Sequence, residues 1–387
     1  MQNAASRNHK AIVIIAIFIF VLMVVAGLFF ATKRPVVADE FHSLGTMHKV
    51  SYLDILLGQL PEEANNFPLF YLMHKPLCVN LDYALKKSDM DLDTLRHRSL
   101  LRVNSVLFTA FFVVMMFYYF ATNYSITAGF LSVVVSITSY ATTLYWIEGR
   151  PYALWIFLAA LQSLVFLELI KKGYEPSRWR NFIMANVLLC LTSVLSAIAV
   201  IVFSVFCWFF VVKDWKKYVL ATMVPVLLAY SYAHALPNNY SLFSFNDSAF
   251  SIIRANFSLE KLVIILFAGV VFLRNSFKKD KTAKEAYRTM LSLCLLMVGA
   301  FLVTLIIMAV FQYRSDINGL AHVSRRYFVY LNPVGIIVMT LSVFYLFEHF
   351  KKNKKFYYAI MIIVSMLLIG RAFSTVDHMR GIFEIWL

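Results

Sequence analysis

The hydrophobic positions of this chain come in long uninterrupted runs separated by short polar stretches. A hydrocarbon core about 30 Å thick needs roughly 20 apolar residues per helix. Runs near that length lie around residues 11–31, 101–121, 126–145, 152–170, 218–235, 259–273, 289–311, 327–347 and 356–372. The stretch 181–212 is too long for one crossing and slightly short for two, and it predicts two short spans that turn near 193–197. The expectation is an all-α polytopic membrane protein with eleven transmembrane helices in a single domain, 1–387. The apolar core of the first run is longer than that of a secretory signal and no small-x-small cleavage site follows, so the run predicts a retained anchor.

Most connections are short; residues 32–99 form a long first loop. Within it Leu53, Leu56, Leu57 and Leu60 recur at helical spacing, with Ser51, Asp54 and Gln59 on other faces. That is the pattern of an amphipathic helix lying in the membrane interface. The segment PLFYLMHKPLCVNL at 68–81 is similarly mixed and too short and polar to span. Long structured loops tend to carry function.

Composition agrees with the pattern. The chain is 61% hydrophobic and 15% charged, against about 25% charged in an ordinary globular protein, which excludes a soluble enzyme. Cys190, Cys207 and Cys294 lie in apolar runs and Cys78 in a polar stretch, so no disulfide pair is suggested. A net charge of +15 would suggest nucleic acid in a soluble protein, but here its distribution decides. With the N-terminus in the cytoplasm, 19 of the 36 basic residues and six acids fall on cytoplasmic segments, a net +13. The other face carries only +2. This is the positive-inside asymmetry; no nucleic-acid partner is implied, and an odd span number puts the C-terminus outside.

The candidate chemistry lies on that nearly neutral outer face. Glu168, Arg102 and His234 sit near helix ends, and the runs carry no ionisable side chain near mid-depth, which argues against a pump or coupled transporter. Asp39 and Glu40 follow the first run as an adjacent acid pair. Such a pair can merely solvate a helix end, or one carboxylate can take a proton from an acceptor hydroxyl. In the turn WIEGRPY, Pro151 suits a first helical turn and leaves Glu148 and Arg150 at the surface. These two can pair only with each other, a weak interaction, or Arg150 can bind an anionic phosphate through its planar guanidinium. Arg325, Arg326 and Tyr327 open a late span, where arginines also snorkel to headgroups. His42, His48 and Lys49 lie close to the acid pair. A divalent metal held by Asp39, Glu40 and a histidine is chemically conceivable, but no spacing specifies one, and no cofactor is expected.

Taken together, VADEFHSLG after the first run, NNFPLFYL in the same loop, EGRPYAL before the fourth span and RRYFVYLNP opening a late one resemble the membrane glycosyltransferases of the C-type (GT-C) fold. The resemblance is to the branch of families 39 and 83, with protein O-mannosyltransferases and lipid A aminoarabinose transferases, and it covers most of the chain. It implies an inverting enzyme that moves a sugar from a polyprenyl-phosphate donor to a hydroxyl of a glycan, lipid or protein outside the cytoplasm, here at a bacterial plasma membrane. By position, Asp39 matches the catalytic aspartate and Glu40 its neighbour. Arg150 and Tyr152 match the EGRPY element, and Arg326 with Tyr327 the late one. Glu148, Arg325 and His42 complete the expected donor-phosphate and substrate contacts. Two features depart from the pattern: Asn66-Phe67-Pro68-Leu69 stands where many relatives have two prolines before the leucine, and no sizeable soluble C-terminal domain is expected, so the acceptor would be engaged by loops. A lipid-linked-sugar flippase and a polysaccharide polymerase or ligase are the alternative classes.

Overall fold

The computed structural model describes residues 2–59, 68–77, 95–211, 214–235, 252–253, 256–276, 281–315 and 325–384. The chain is helical, with no strand among the described residues. Its helices are α1 (Gln2–Lys33), α2 (Ala38–Lys49), α3 (Tyr52–Leu56), α4 (Pro68–Lys75), α5 (Leu95–Asn123), α6 (Ile126–Ile137), α7 (Tyr140–Trp146) and α8 (Tyr152–Lys172). They continue as α9 (Pro176–Cys190), α10 (Ser196–Phe210), α11 (Trp215–Ala235), α12 (Leu259–Ser276) and α13 (Lys281–Ser315), then a 3-10 segment (Arg325–Leu331), α14 (Asn332–Phe350) and α15 (Lys354–Glu384).

Among the described residues, six helical segments are long and apolar enough to cross a bilayer: His9–Lys33, Arg98–Asn123, Tyr152–Lys172, Ala286–Ile307, Arg326–Phe350 and Lys354–Asp377. The protein is therefore a helical integral membrane protein. The stretch 181–212 is covered to residue 210 by two short helices, α9, which begins earlier at Pro176, and α10, with their break at 191–195. The run at 126–145 is not one straight helix. It breaks into α6 and α7, which meet at 69°. The hydroxyls of Ser132, Ser136 and Thr138 donate back to the carbonyls of Gly129, Ser132 and Val134, each at 2.7 Å, and such back-bonding loosens and bends a helix. The carbonyl of Thr138 freed at the bend accepts Arg371 Nε and Thr375 Oγ1, both at 2.9 Å, from α15. Arg371 thus lies buried six residues inside the last span, whereas the sequence reading puts ionisable groups only near helix ends.

The centre of the bundle is α14. Every residue from Asn332 to Val343 is buried, as expected of a helix that is apolar all round and packed on all sides; α6, α8, α12, α13 and α15 surround it. At the periphery, Ile14, Phe18 and Val25 of α1 and Met366 and Phe373 of α15 are exposed. Apolar side chains facing outward over the length of a span meet lipid without penalty.

The first loop supplies the small elements. In α3, Ser51 and Asp54 form a capping box, Ser51 Oγ accepting the Asp54 N–H at 3.1 Å and Asp54 Oδ2 the Ser51 N–H at 2.7 Å. These bonds hold the Asp54 carboxyl below its ordinary range. Leu53, Leu56 and Leu57 are exposed while Ile55 is buried, so the apolar leucines face outward as an interface helix requires. The helix is shorter than its leucine spacing suggests because the chain turns at Gly58, whose φ of 74° suits glycine. Leu60 lies outside the described residues.

Candidate functional site

The site begins where α1 ends. A helix leaves its last carbonyls without intrahelical donors, and Arg102 of α5 serves this end of α1: its guanidinium donates to the carbonyl of Ala31 in the last turn (2.7 Å) and to those of Arg34 and Pro35 just beyond it (2.6 Å for Pro35). The same group grips Glu40 with both arms, Nε to Oε1 at 2.9 Å and Nη2 to Oε2 at 2.6 Å. Both side chains are fully buried. Glu40 also accepts the N–H of Gly149 at 2.6 Å and that of Val37 at 3.1 Å, so four donors occupy its two oxygens. Burial pushes the Glu40 carboxyl up, but the hydrogen bonds and charge of Arg102, the charge of Arg34 and the Gly149 N–H together hold it below its ordinary value. Glu40 joins α1, α2, α5 and the 147–150 turn.

Successive residues on a helix point about 100° apart, so Asp39 leaves this buried clamp and faces a partly open side. Its side chain is 30% exposed, and Oδ2 accepts Arg326 Nη1 at 2.6 Å. Arg150 comes from the α7–α8 turn and donates through Nη1 to the Asp39 carbonyl at 3.2 Å and to Ser43 Oγ. Glu148 does not spend its charge on Arg150. It pairs with Arg34 at 3.3 Å, and Arg34 also donates to the Ile147 carbonyl at 3.2 Å. Tyr152 packs its ring against Tyr145 with centroids 4.5 Å apart. Glu148, Tyr152 and Asp39 act electrostatically on Arg326, and Arg326 on Tyr327.

Two further residues arrive on α4. His74 is buried, stacks on Phe70 at 4.7 Å and faces Asn104 Nδ2 through Nδ1 at 3.3 Å. Burial, with a smaller push from Arg150 and against the pull of Glu40, brings its pKa down to about 3, so it is neutral at physiological pH. Lys75 donates to the carbonyls of Met47 (2.6 Å) and Val50 and caps the C-terminal end of α2. Burial lowers its pKa and Asp54 partly offsets this. Helix α2 is therefore held at both ends, by Glu40 at the first turn and Lys75 at the last, which fixes the direction of Asp39.

Of the nine residues expected from the sequence to act in catalysis or substrate contact, seven meet here: Asp39, Glu40, Glu148, Arg150, Tyr152, Arg326 and Tyr327. The side chains of His42 and Arg325 lie outside the described residues. Sequence reasoning missed Arg34, Arg102, His74, Lys75 and Asn104. The available signal was electrostatic: two acids at a membrane surface need cations, and Arg34 and Arg102 flank the two apolar runs nearest to them. Among the described residues no three His, Cys, Asp or Glu side chains converge to hold a metal ion.

The far ends of α5 and α8 carry a different arrangement. Glu168 accepts Tyr119 Oη at 2.7 Å and pairs with Lys172, while Lys171 Nζ lies 4.2 Å from the centre of the Tyr124 ring. This aromatic and basic belt is on the side that the charge count assigns to the cytoplasm, with the Asp39 cluster at the opposite ends of the same helices.

Close approach at Gly149 gives a direct test of the clamp. A Cβ there would come 2.7 Å from the Leu101 carbonyl oxygen, 2.9 Å from Leu101 Cγ and 3.3 Å from Glu40 Oε1. The backbone oxygen cannot swing aside. Gly149→Ala is expected to cost about 1–3 kcal/mol through overpacking, measured as a lower thermal unfolding midpoint in detergent; an unchanged midpoint would contradict the packing.

No protein-family model matches the chain, and no curated protein matches it. The functional reading rests on the residues and geometry above.

Proposed function

We propose that this protein is an inverting glycosyltransferase of GT-C architecture, with eleven crossings, that transfers a sugar from a polyprenyl-phosphate donor to an acceptor hydroxyl at the extracytoplasmic face of a bacterial plasma membrane. The observation that carries this reading is the pairing of Asp39 with Arg326 at 2.6 Å across 287 positions of sequence, with Arg150 bound to the same stretch of α2. A carboxylate and two guanidiniums at one end of a membrane bundle suit a reaction whose leaving group is a lipid phosphate.

In this scheme the acceptor hydroxyl gives its proton to Asp39 and its oxygen attacks the anomeric carbon. The bond from that carbon to the phosphate oxygen breaks, and polyprenyl phosphate leaves with the electron pair and with inversion at the sugar. Negative charge grows on the phosphate as the bond lengthens, so Arg150 and Arg326 stabilise the transition state more than the ground state. The donor phosphate competes with Asp39 for Arg326 and frees the carboxylate when substrate is in place. Glu40, with every acceptor position taken, is a positioning residue, and Glu148 holds Arg34 beside it. Neutral His74 offers hydrogen bonds without adding charge.

The test is reconstitution of the full chain with a polyprenyl-phosphate sugar and identification of the consumed lipid by mass spectrometry. Release of polyprenyl monophosphate with glycosylation of an acceptor supports the reading; consumption of a pyrophosphate-linked glycan would favour a polymerase or ligase, and lipid-sugar flux in liposomes without transfer would favour a flippase. Arg150→Ala is expected to weaken donor binding and slow transfer by about 10- to 100-fold, the equivalent of one charge-assisted hydrogen-bonded contact of roughly 1.5–3 kcal/mol. Unchanged donor affinity and rate would remove Arg150 from the site.

A further inference from the structure

Outside the Asp39 cluster, two buried cations stand against α14. Lys261, near the start of α12, is 5% exposed, and its Nζ donates to the Asn256 carbonyl at 3.3 Å. That Nζ lies 3.8 Å from the point a Cβ on Gly335 would occupy. Arg371 of α15 is 7% exposed; besides its bond to Thr138, its Nη1 lies 3.0 Å from Met339 Sδ. Positions 335 and 339 are one turn apart on one face of α14, so the two cations stand against successive turns of the same helix.

Among the described residues neither cation is in contact with a carboxylate. Glu260 acts on both through its charge without touching either, and Arg371 acts on Lys261 as a like charge. Buried charges are ordinarily paired, and two of the same sign repel, a cost that an anion between them offsets. The hydrogen bonds of Arg371 to the bend explain that residue's placement in part; nothing comparable explains Lys261, which has one long bond for three donors.

The surroundings indicate what kind of anion fits. Helices α12 and α15 both pack on α14 and only slightly on each other. Their outer faces, with Leu259, Val263 and Leu266 on one and Met366, Ile369 and Phe373 on the other, are exposed and apolar. Beside Lys261, Gly335 presents no side chain, and a Cβ there would meet Met297 Sδ of α13 at 3.7 Å and Lys261 Nζ at 3.8 Å. A phosphate can sit on the two cations while its hydrocarbon tails follow the apolar outer faces into the bilayer. Three residues before Gly335, Asn332 ties α14 to the start of α7: Ser139 Oγ donates to Asn332 Oδ1 at 2.6 Å and Asn332 Nδ2 to Thr142 Oγ1 at 3.0 Å.

We propose that Lys261 and Arg371 form a second anion site, which takes the phosphate group of a membrane lipid between α12 and α15. The phosphate is that of an anionic phospholipid or of a polyprenyl phosphate; the site itself does not depend on the proposed transfer reaction. Lys261→Met is the decisive variant because Lys261 takes no part in the α6–α7 bend. The purified full chain in maltoside detergent is titrated with phosphatidylglycerol, with polyprenyl phosphate and with phosphate-free diacylglycerol, following the unfolding midpoint and the lipid retained by mass spectrometry. The wild-type chain is expected to retain a phosphate lipid and unfold several degrees higher with it. In Lys261→Met retention should fall at least tenfold and the midpoint should no longer respond, while the lipid-free variant stays as stable as the wild type. Whichever phosphate lipid shifts the midpoint further, in a Lys261-dependent way, names the source. The proposal is overturned if diacylglycerol stabilises as well as the phosphate lipids, if neither phosphate lipid is retained, or if Lys261→Met retains them as the wild type does. Retention of phosphatidylglycerol by Asp39→Asn should be unchanged, so failure of the transfer reading and failure of this site are read separately.

Discussion

Asp39→Asn is expected to abolish sugar transfer in a chain that still folds. The amide is close in shape to the carboxylate and keeps an oxygen for Arg326, but it cannot take up the acceptor's proton. Loss of a positioned general base typically costs about 10²- to 10⁴-fold in rate, and Glu40, the nearest carboxylate in sequence, is locked behind four donors and cannot substitute. The fold should survive because the Asp39–Arg326 pair is partly exposed, 30% and 29% on its two sides, and such pairs are worth about 1 kcal/mol or less. The measurement is turnover with a polyprenyl-phosphate donor alongside the unfolding midpoint. Near-normal turnover would refute the role of Asp39; a collapsed midpoint would mean that the residue is part of the scaffold.

Arg102→Met should do the reverse and destroy the scaffold. It removes the counter-charge of a fully buried carboxylate and, at the same time, the donors for the Ala31 carbonyl in the last turn of α1 and the Pro35 carbonyl just after it. Breaking one side of a buried pair costs about 3–5 kcal/mol, a large share of a stability of roughly 5–15 kcal/mol. Arg102→Lys should rescue little, since an ammonium cannot span two carboxylate oxygens and several carbonyls as the planar guanidinium does. The pH dependence has a definite sign. The folded carboxyl of Glu40 lies below its ordinary 4.5, so its contribution is fully present above pH about 4.5 and is lost as the pH falls through the folded value. The gap in unfolding midpoint between wild type and Arg102→Met should therefore be widest at neutral pH and narrow in acid. Equal midpoints at pH 7 would show that the pair does not hold the fold.

The sequence contains the parts of the site more clearly than their connections. Asp39, Arg150 and Arg326 are legible because each stands at a boundary between an apolar run and a polar stretch, where a charge is conspicuous. Their partners are not, because pairing is a matter of which helix ends meet. Glu148 and Arg150 look like a pair at a spacing of two, yet the turn directs one to Arg34 and the other to α2. Asp39 and Glu40 look like equivalents, yet one step of helical rotation separates a half-open carboxylate from a buried clamp. The apolar runs located the helices, but uniform hydropathy could not reveal the bend at Thr138, which depends on hydroxyls bonding back to the main chain. Arg371 was similarly hidden: one cation in a long apolar run reads as the edge of a span, although it lies inside the bundle.

The clamp around Glu40 also constrains how the protein can be made. Its last donor, the Gly149 N–H, lies 109 residues downstream, so when α1 and α2 leave the ribosome the carboxylate has neither Arg102 nor the turn to receive it. Glu40 can be drawn out of water only after α5, α6 and α7 are in the bilayer and the 147–150 turn has come back to the surface where α1 ended. Asp39 waits longer, since Arg326 is synthesised 287 residues after it. The nascent chain thus completes a rigid seat in its first half and receives the final arginine from its second, and Asp39 is the last of the two acids to acquire its partner.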